Sequence, residues 1–386
     1  MADAQVDVEL VSDLALEYAD GAEAGLDDDL KAAWEGVLAV FPGLTLSPLF
    51  ASLAFEVLSD IVDTVRMGGE APPDPFTSFT VRCEESIAAA VQDALAALPF
   101  VRTARVRQQG FDAGIIAWGT NRETEVAFQL LRAPGGVDPM HTWQVEGGTG
   151  RGVRLADVET GWDLNHEDLL TASVQRASTF GASFTSHGNG AIGVVLASDN
   201  GVGIVGIAPD VACFLVTTVR ANGTVNNADA VTVAADAVGS SGVLLIEQAL
   251  PFFAGANEPD ILFEFDPNVQ KAIRIATFFG ITVVEPAGNG GVDLDAFPFM
   301  AHVQPGNPAF VDSRAIVVGA AVPGSEEAVE QAIWRPPSRA SDGASTASRP
   351  ASRSARPRTR RATISSSAAR RAPRQSSPAS SVRSKA

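Results

Sequence analysis

Cysteine is almost missing from this sequence. Cys83 and Cys213 are the only two in 386 residues. They lie far apart and form no metal-type spacing, so two buried free thiols are expected. Long uninterrupted apolar runs are missing as well. The most apolar early stretch, Pro48 to Val65, is broken by Glu56, Asp60 and Asp63. It is too short and too charged to cross a bilayer, and its Leu49, Leu53, Val57 and Ile61 read as the stripe of a packed helix. The opening residues, Met1-Ala2-Asp3-Ala4-Gln5-Val6-Asp7, have neither a basic nor an apolar leader region. Nothing there reads as a secretory signal, so a cytoplasmic, non-membrane protein is the default expectation. Basic charge is scarce until the end. The net charge is −18, yet Arg339–Ala386 holds twelve Lys/Arg and one acid, Asp342, a net of +11, which leaves −29 on Met1–Ser338.

What is present points to a globular α/β protein. Apolar residues make up 46%, and Gly (35) and Pro (23) fit a loop-rich chain long enough for two or three domains. Leu30, Trp34, Val37 and Leu38 repeat at helical spacing, and Ala71-Pro72-Pro73-Asp74-Pro75 reads as a linker. A compact β-α-β pattern follows: Phe79, Val81 and Cys83 alternate on a strand, Ile87, Val91, Ala94, Leu95 and Leu98 form a helical stripe, and Val101–Val106 is a second strand. From Gly147 onward short continuous apolar runs recur: Val153–Val158, Ala191–Ala197, Cys213–Val216, Val243–Ile246, Ile281–Val284 and Ala315–Val318. Continuous rather than alternating runs mark a parallel sheet covered on both faces. After Ser338 the only large aliphatics are Ile364 and Val382, too few to offset chain entropy, so disorder is expected.

Three segments carry chemistry. Glu159-Thr160-Gly161-Trp162 places a carboxylate at the end of the first of these strands, with His166-Glu167-Asp168-Leu169 beginning seven residues on. Ser186-His187-Gly188-Asn189-Gly190 puts a histidine before the apolar, helix-like run Ala191–Ala197, and a His there can act as a general base. Val283-Val284-Glu285-Pro286-Ala287-Gly288-Asn289 ends a strand in a Gly-flanked amide that can donate to an oxyanion. Taken singly, each is also an ordinary turn acid, a surface histidine or a left-handed Asn.

Together and in this order, the segments resemble the subtilase family of serine peptidases, whose triad runs Asp, His, Ser along the chain. The acid motif Asp-Thr/Ser-Gly is matched by Glu159-Thr160-Gly161, with Glu for Asp. The His-Gly-Thr block is matched by His187-Gly188, with Asn189 for Thr, followed by Gly193 and by Gly206-Ile207-Ala208-Pro209. Ala287-Gly288-Asn289 matches the oxyanion block, and Ile316-Val317-Val318-Gly319-Ala320 a late strand. The resemblance implies a mostly parallel sheet sandwiched by helices (a subtilisin-like α/β fold), endopeptidase action on protein or peptide substrates, and catalytic roles for Glu159, His187 and Asn289 (oxyanion). Asp157, on the same strand face as Glu159, is the reserve acid or a proton-sharing partner. The family leaves room for calcium; no other cofactor is implied. The organisation expected is an acidic, largely helical segment 1–73, a propeptide-like β-α-β unit 74–108, a connection 109–143, the peptidase-like core 144–338 and a basic tail 339–386.

One block has no counterpart. The nucleophile segment Gly-Thr-Ser-x-Ala-x-Pro occurs nowhere in the chain, so an inactive protein is expected. The tail itself offers a reason. With four-fold Ser and Arg codons, shifting the frame of Ser367–Ala379 so that each third base joins the next two permits Gly-Gly-Thr-Ser-Ser-Ala-Ala-Pro-Ile-Val-Ala-Gly. The serine then straddles the codons of Arg370 and Arg371. The other functional class is a non-catalytic scaffold or peptide-binding protein whose basic tail binds nucleic acid or another acidic surface. The tail has no aromatic residue for base stacking, so nucleic acid is not the expected partner.

Overall fold

The computed structural model describes residues 3–112, 139–178, 186–251, 260–288, 294–295 and 298–319. Asn289 and the tail 339–386 lie outside the described residues, as does most of the 109–143 connection.

The first half of the chain builds a four-stranded antiparallel sheet from β1 (Asp3–Leu10), β2 (Ser47–Pro48), β3 (Ser78–Glu84) and β4 (Val101–Val106), in the order β2-β3-β1-β4. Helices α1 (Asp28–Leu38), α2 (Phe55–Met67) and α3 (Ala88–Ala96) lie between these strands in sequence. Alternation sets the sheet's inner face: Val6, Val8 and Leu10 of β1 and Phe79, Val81 and Cys83 of β3 are buried with Trp34 and Val37 of α1 and Val91 and Leu95 of α3. Asp27 caps α1, its side chain accepting from the Leu30 N–H.

This differs from the expected organisation. Residues 1–73 do not stand apart as a largely helical segment, because β1 pairs with both β3 and β4. The signal was a period of two hidden under acidic charge, with Val6, Val8 and Leu10 alternating with Asp7 and Glu9. Leu49 and Leu53 also precede their helix, which begins at Phe55. Leu49, Phe50 and Leu58 are buried in the other core cluster, against the second half of the chain, so the Pro-rich stretch after Ala71 is not a domain boundary.

The second half forms a six-stranded sheet in which every described pairing is parallel. Its strands are β6 (Arg154–Glu159), β7 (Val174–Arg176), β8 (Ala212–Thr217), β9 (Val243–Ile246), β12 (Thr282–Pro286) and β13 (Ile316–Val318), ordered β13-β12-β9-β6-β8-β7. A small antiparallel sheet, β11-β10-β5, joins β5 (Phe111–Asp112), β10 (Gln248–Pro251) and β11 (Asp260–Ile261). The run Ala191–Ala197, grouped with the apolar strands and also read as helix-like, lies up to Leu196 in helix α4 (Ser186–Leu196).

Helices cover both faces of the parallel sheet. On one, Ala156, Val158, Leu244 and Ile246 pack with α5 (Asn227–Val238) and α6 (Pro267–Phe278). On the other, Leu155, Cys213 and Leu215 pack with Ile192 and Leu196 of α4. Cys83 and Cys213 are both free and buried. Burial pushes both thiols above the ordinary value, Cys213 the further, with nearby carboxylates adding to it.

The antiparallel sheet is tied to α5 and α6 by polar side chains that have left water. Arg107 makes a forked pair with Asp7, and only 4% of each side chain is exposed. The same guanidinium donates to Thr80 Oγ1 and to the Val225 carbonyl. Lys271 of α6 donates to Ser78 Oγ and pairs with Glu9. Asn226, the cap of α5, donates to the Leu49 carbonyl, and Asp229 accepts from both the N–H and the hydroxyl of Ser52.

Candidate active site

Carboxyl ends of parallel strands collect functional groups because loops there turn away from the sheet in opposite directions. Glu159, the last residue of β6, is at such an end and fully buried. The turn after it is pinned by backbone and hydroxyl bonds: the Thr218 N–H donates to the Glu159 carbonyl, and Thr217 Oγ1 donates to the Thr160 carbonyl.

His187 lies in the first turn of α4, whose apolar side drops onto β6 and β8 through Ile192 and Leu196. This carries the imidazole to Glu159. His187 Nδ1 is 3.2 Å from Oε1 and 3.2 Å from Oε2 of Glu159. A proton on Nδ1, donated to this carboxylate, leaves the lone pair on Nε2, the tautomer a general base requires. Burial of the pair strengthens the interaction relative to water.

Two neighbours fix the approach. Gly188 must be glycine, since a β-carbon there would meet the Gly161 carbonyl oxygen at 2.3 Å and the Trp162 ring at 2.7 Å. Asn189, the departure from the usual Thr, closes a two-bond clamp on Asp163: its Oδ1 accepts from the Asp163 N–H at 2.7 Å and its Nδ2 donates to the Asp163 carbonyl at 2.8 Å. Asp168 holds a second loop by accepting from the Ile204 N–H, while His166 stands exposed and away from the pair.

Asp157 is placed differently from Glu159. It is also fully buried on β6, but its Oδ2 accepts from Trp162 Nε1 at 2.8 Å. Burial, and then the charge of Glu159, hold its carboxyl well above the usual carboxylate range, which favours a neutral acid. Glu247, just past the end of β9, is likewise raised by burial, and the nearby His187 draws it back down.

Gln248 was missed by sequence reasoning. It is fully buried at the start of β10, and its Nε2 donates to Glu159 Oε1 at 3.0 Å and to Thr160 Oγ1 at 3.2 Å. No motif marks it. The available signal was an amide two residues past a strand that pairs with β6.

Asn289 lies outside the described residues; Gly288 before it has φ +90° and no room for a β-carbon, which would lie 2.5 Å from the Asp260 carbonyl oxygen. Among the described residues no group of three or more His, Cys, Asp or Glu is placed to hold a metal ion, so no calcium ligands are assigned.

No family model matches the chain. Curated relatives do. Alkaline elastase YaB of Bacillus sp. (strain YaB) is 27% identical over 193 residues, 47% of this chain and 42% of the relative. Subtilisin DY of Bacillus licheniformis is 26% identical over 151 residues, 38% of this chain and 51% of the relative. Subtilisin Savinase of Lederbergia lenta is 27% identical over 156 residues, 39% of this chain and 52% of the relative. The chain thus spans about half the length of the curated relatives it matches. Among solved structures, the epidermin leader peptide processing serine protease of Staphylococcus aureus aligns over 83% of this chain and 71% of its own. The TM-score is 0.44 at 13% identity.

Proposed function

We propose that this chain, which is similar to subtilisins over part of its length, descends from a serine-type endopeptidase acting on protein or peptide substrates. The observation that carries this reading is the buried contact of His187 Nδ1 with both oxygens of Glu159, at the carboxyl end of the central strand. In the complete site His187 Nε2 takes the proton of a serine hydroxyl as that oxygen attacks the scissile carbonyl, then returns it to the leaving amine. Glu159 holds the imidazole tautomer and stabilises the imidazolium. The Asn289 amide donates to the oxyanion.

In this proposal the chain is inactive, because the sequence holds no Gly-Thr-Ser-x-Ala-x-Pro segment. Loss of the serine costs about a millionfold in turnover, the loss known from subtilisin itself. The frame-shifted reading of Ser367–Ala379 permits that segment, so we read the tail as the lost nucleophile block translated out of frame. The antiparallel unit plays the propeptide-like part. Support comes from β5, which follows it and lies antiparallel along β10 with Asp112 opposite Gln248.

The test begins with the encoding DNA. Arg370 is expected to be encoded by CGT, with the shifted frame open through the motif. The single-base-corrected protein is then expected to react with a serine-directed fluorophosphonate, and the present chain to stay unlabelled. A different Arg370 codon, or a stop codon inside the shifted motif, ends the frameshift reading. A corrected protein that folds but takes no label ends the peptidase reading.

A further inference from the structure

Glutamate reaches one methylene further than aspartate and has one more torsion, so a catalytic acid of this length needs an additional constraint to keep its carboxylate in place. The constraint is visible at the start of β10. Gln248 is fully buried and sends Nε2 to Glu159 Oε1 at 3.0 Å, while the same nitrogen lies 3.2 Å from Thr160 Oγ1. One amide group therefore grips the carboxylate and the first residue of the turn that follows it. Its position is set by the sheet. Val158 of β6 is opposite Ile246 of β9, and the Glu247 N–H donates to the Val158 carbonyl, which brings Gln248 alongside Glu159.

We infer that Gln248 is a positioning residue for Glu159, holding its carboxylate beneath His187 Nδ1 and keeping it ionised. The inference rests on reading Glu159 and His187 as the acid–base pair. The chemistry is that of an N–H donor to a buried anion: each such donor favours the charged form. With the amide in place, Oε1 is shared between His187 and Gln248 while Oε2 faces His187. Without it, the carboxylate has one donor fewer in a site closed to water, and the Glu159–His187 pair holds its shared proton more tightly.

The experiment is a proton NMR titration of the full chain labelled with 13C-histidine, the His187 signal being assigned by its loss in His187→Gln. Gln248→Met keeps length and volume but deletes the donor. It is expected to raise the midpoint of proton uptake by the pair by about half to one pH unit, a three- to tenfold gain in proton affinity. Gln248→Glu, with an acceptor in place of the donor, is expected to raise it further. A residue that only fills space would leave the midpoint unmoved in Gln248→Met, and unmoved midpoints in both variants overturn the inference. Glu159→Gln separates the two levels. If it shifts the His187 titration while neither Gln248 variant does, only the role of Gln248 falls. If it leaves the titration unmoved, the acid–base pair falls, and with it anything Gln248 could position.

Discussion

A β-carbon on Gly188 would lie 2.3 Å from the carbonyl oxygen of Gly161. The first turn of α4 and the turn after Glu159 are thus in direct backbone contact, and the distance between acid and base depends on the absence of a side chain beside the base.

Gly188→Ala is therefore expected to reverse the usual helix rule. Replacing an internal helical glycine with alanine normally stabilises by about 1 kcal/mol. Here the clash is with backbone, so a loss of about 1–3 kcal/mol is expected. Thermal unfolding measures it, and a raised Tm would contradict the packing described.

Of the two buried acids on β6, Glu159 is expected to be the one whose charge matters. In the frame-corrected protein, Glu159→Gln should lower kcat by about 10⁴-fold, the scale on which a wrong histidine tautomer acts, with the fold retained. Asp157→Asn should cost much less, since Asp157 faces Trp162 and its raised pKa already favours the neutral form. Steady-state cleavage of a peptide substrate compares them; a more damaging Asp157→Asn reverses the assignment.

The parallel strands were legible because short continuous apolar runs mark strands covered on both faces, although one such run, Ala191–Ala197, lies in a helix up to Leu196. Val243–Ile246 is matched to the residue, and two segments singled out for their chemistry meet where His187 Nδ1 lies 3.2 Å from Glu159. Gln248 was not legible, because its role depends on strand register and on no local pattern. β1 was obscured by Asp7 and Glu9, which are tolerated there through Arg107 and Lys271 from distant segments. Those pairings cannot be read from a window of ten residues.

Arg107 pairs with Asp7 inside the first half and donates to the Val225 carbonyl of the second, and Asn268 of α6 donates to the same Asp7, so this buried cluster joins the two halves. Arg107→Ala strands a buried carboxylate and is expected to cost about 3–5 kcal/mol. Limited proteolysis should then release a fragment near residue 110 faster than in the parent. Equal cleavage rates would mean that the Arg107 cluster does not hold the halves together.

Asp266 caps α6 through the Asn268 N–H, yet its pKa is raised from 3.8 to about 6, first by desolvation and then by the charge of Asp7. The folded form keeps this proton longer than the unfolded chain does. The associated stability is complete below about pH 4 and lost as pH rises through 6. Asp266→Asn, which also caps well, is expected to raise Tm at pH 8 and to leave it nearly unchanged at pH 4. Equal effects at both pH values would exclude this linkage.

Ile316 and Val318 are 47% and 49% exposed on β13, which is the edge of the parallel sheet among the described residues. An apolar edge with open hydrogen-bonding groups recruits other chains. The expressed protein is expected to aggregate, and Val318→Lys to raise the soluble fraction after centrifugation at matched expression. A fully soluble parent with one sharp unfolding transition would count against this.

The two thiols divide evenly between the sheets, Cys83 on β3 and Cys213 on β8. Both are shielded, and both are held in the unreactive thiol form. The molecule therefore carries one native chemical reporter in each half. In rising denaturant, alkylation of Cys83 and Cys213 at a common midpoint would mean that the halves open as one cooperative body. Separate midpoints would identify which half gives way first, with no residue changed.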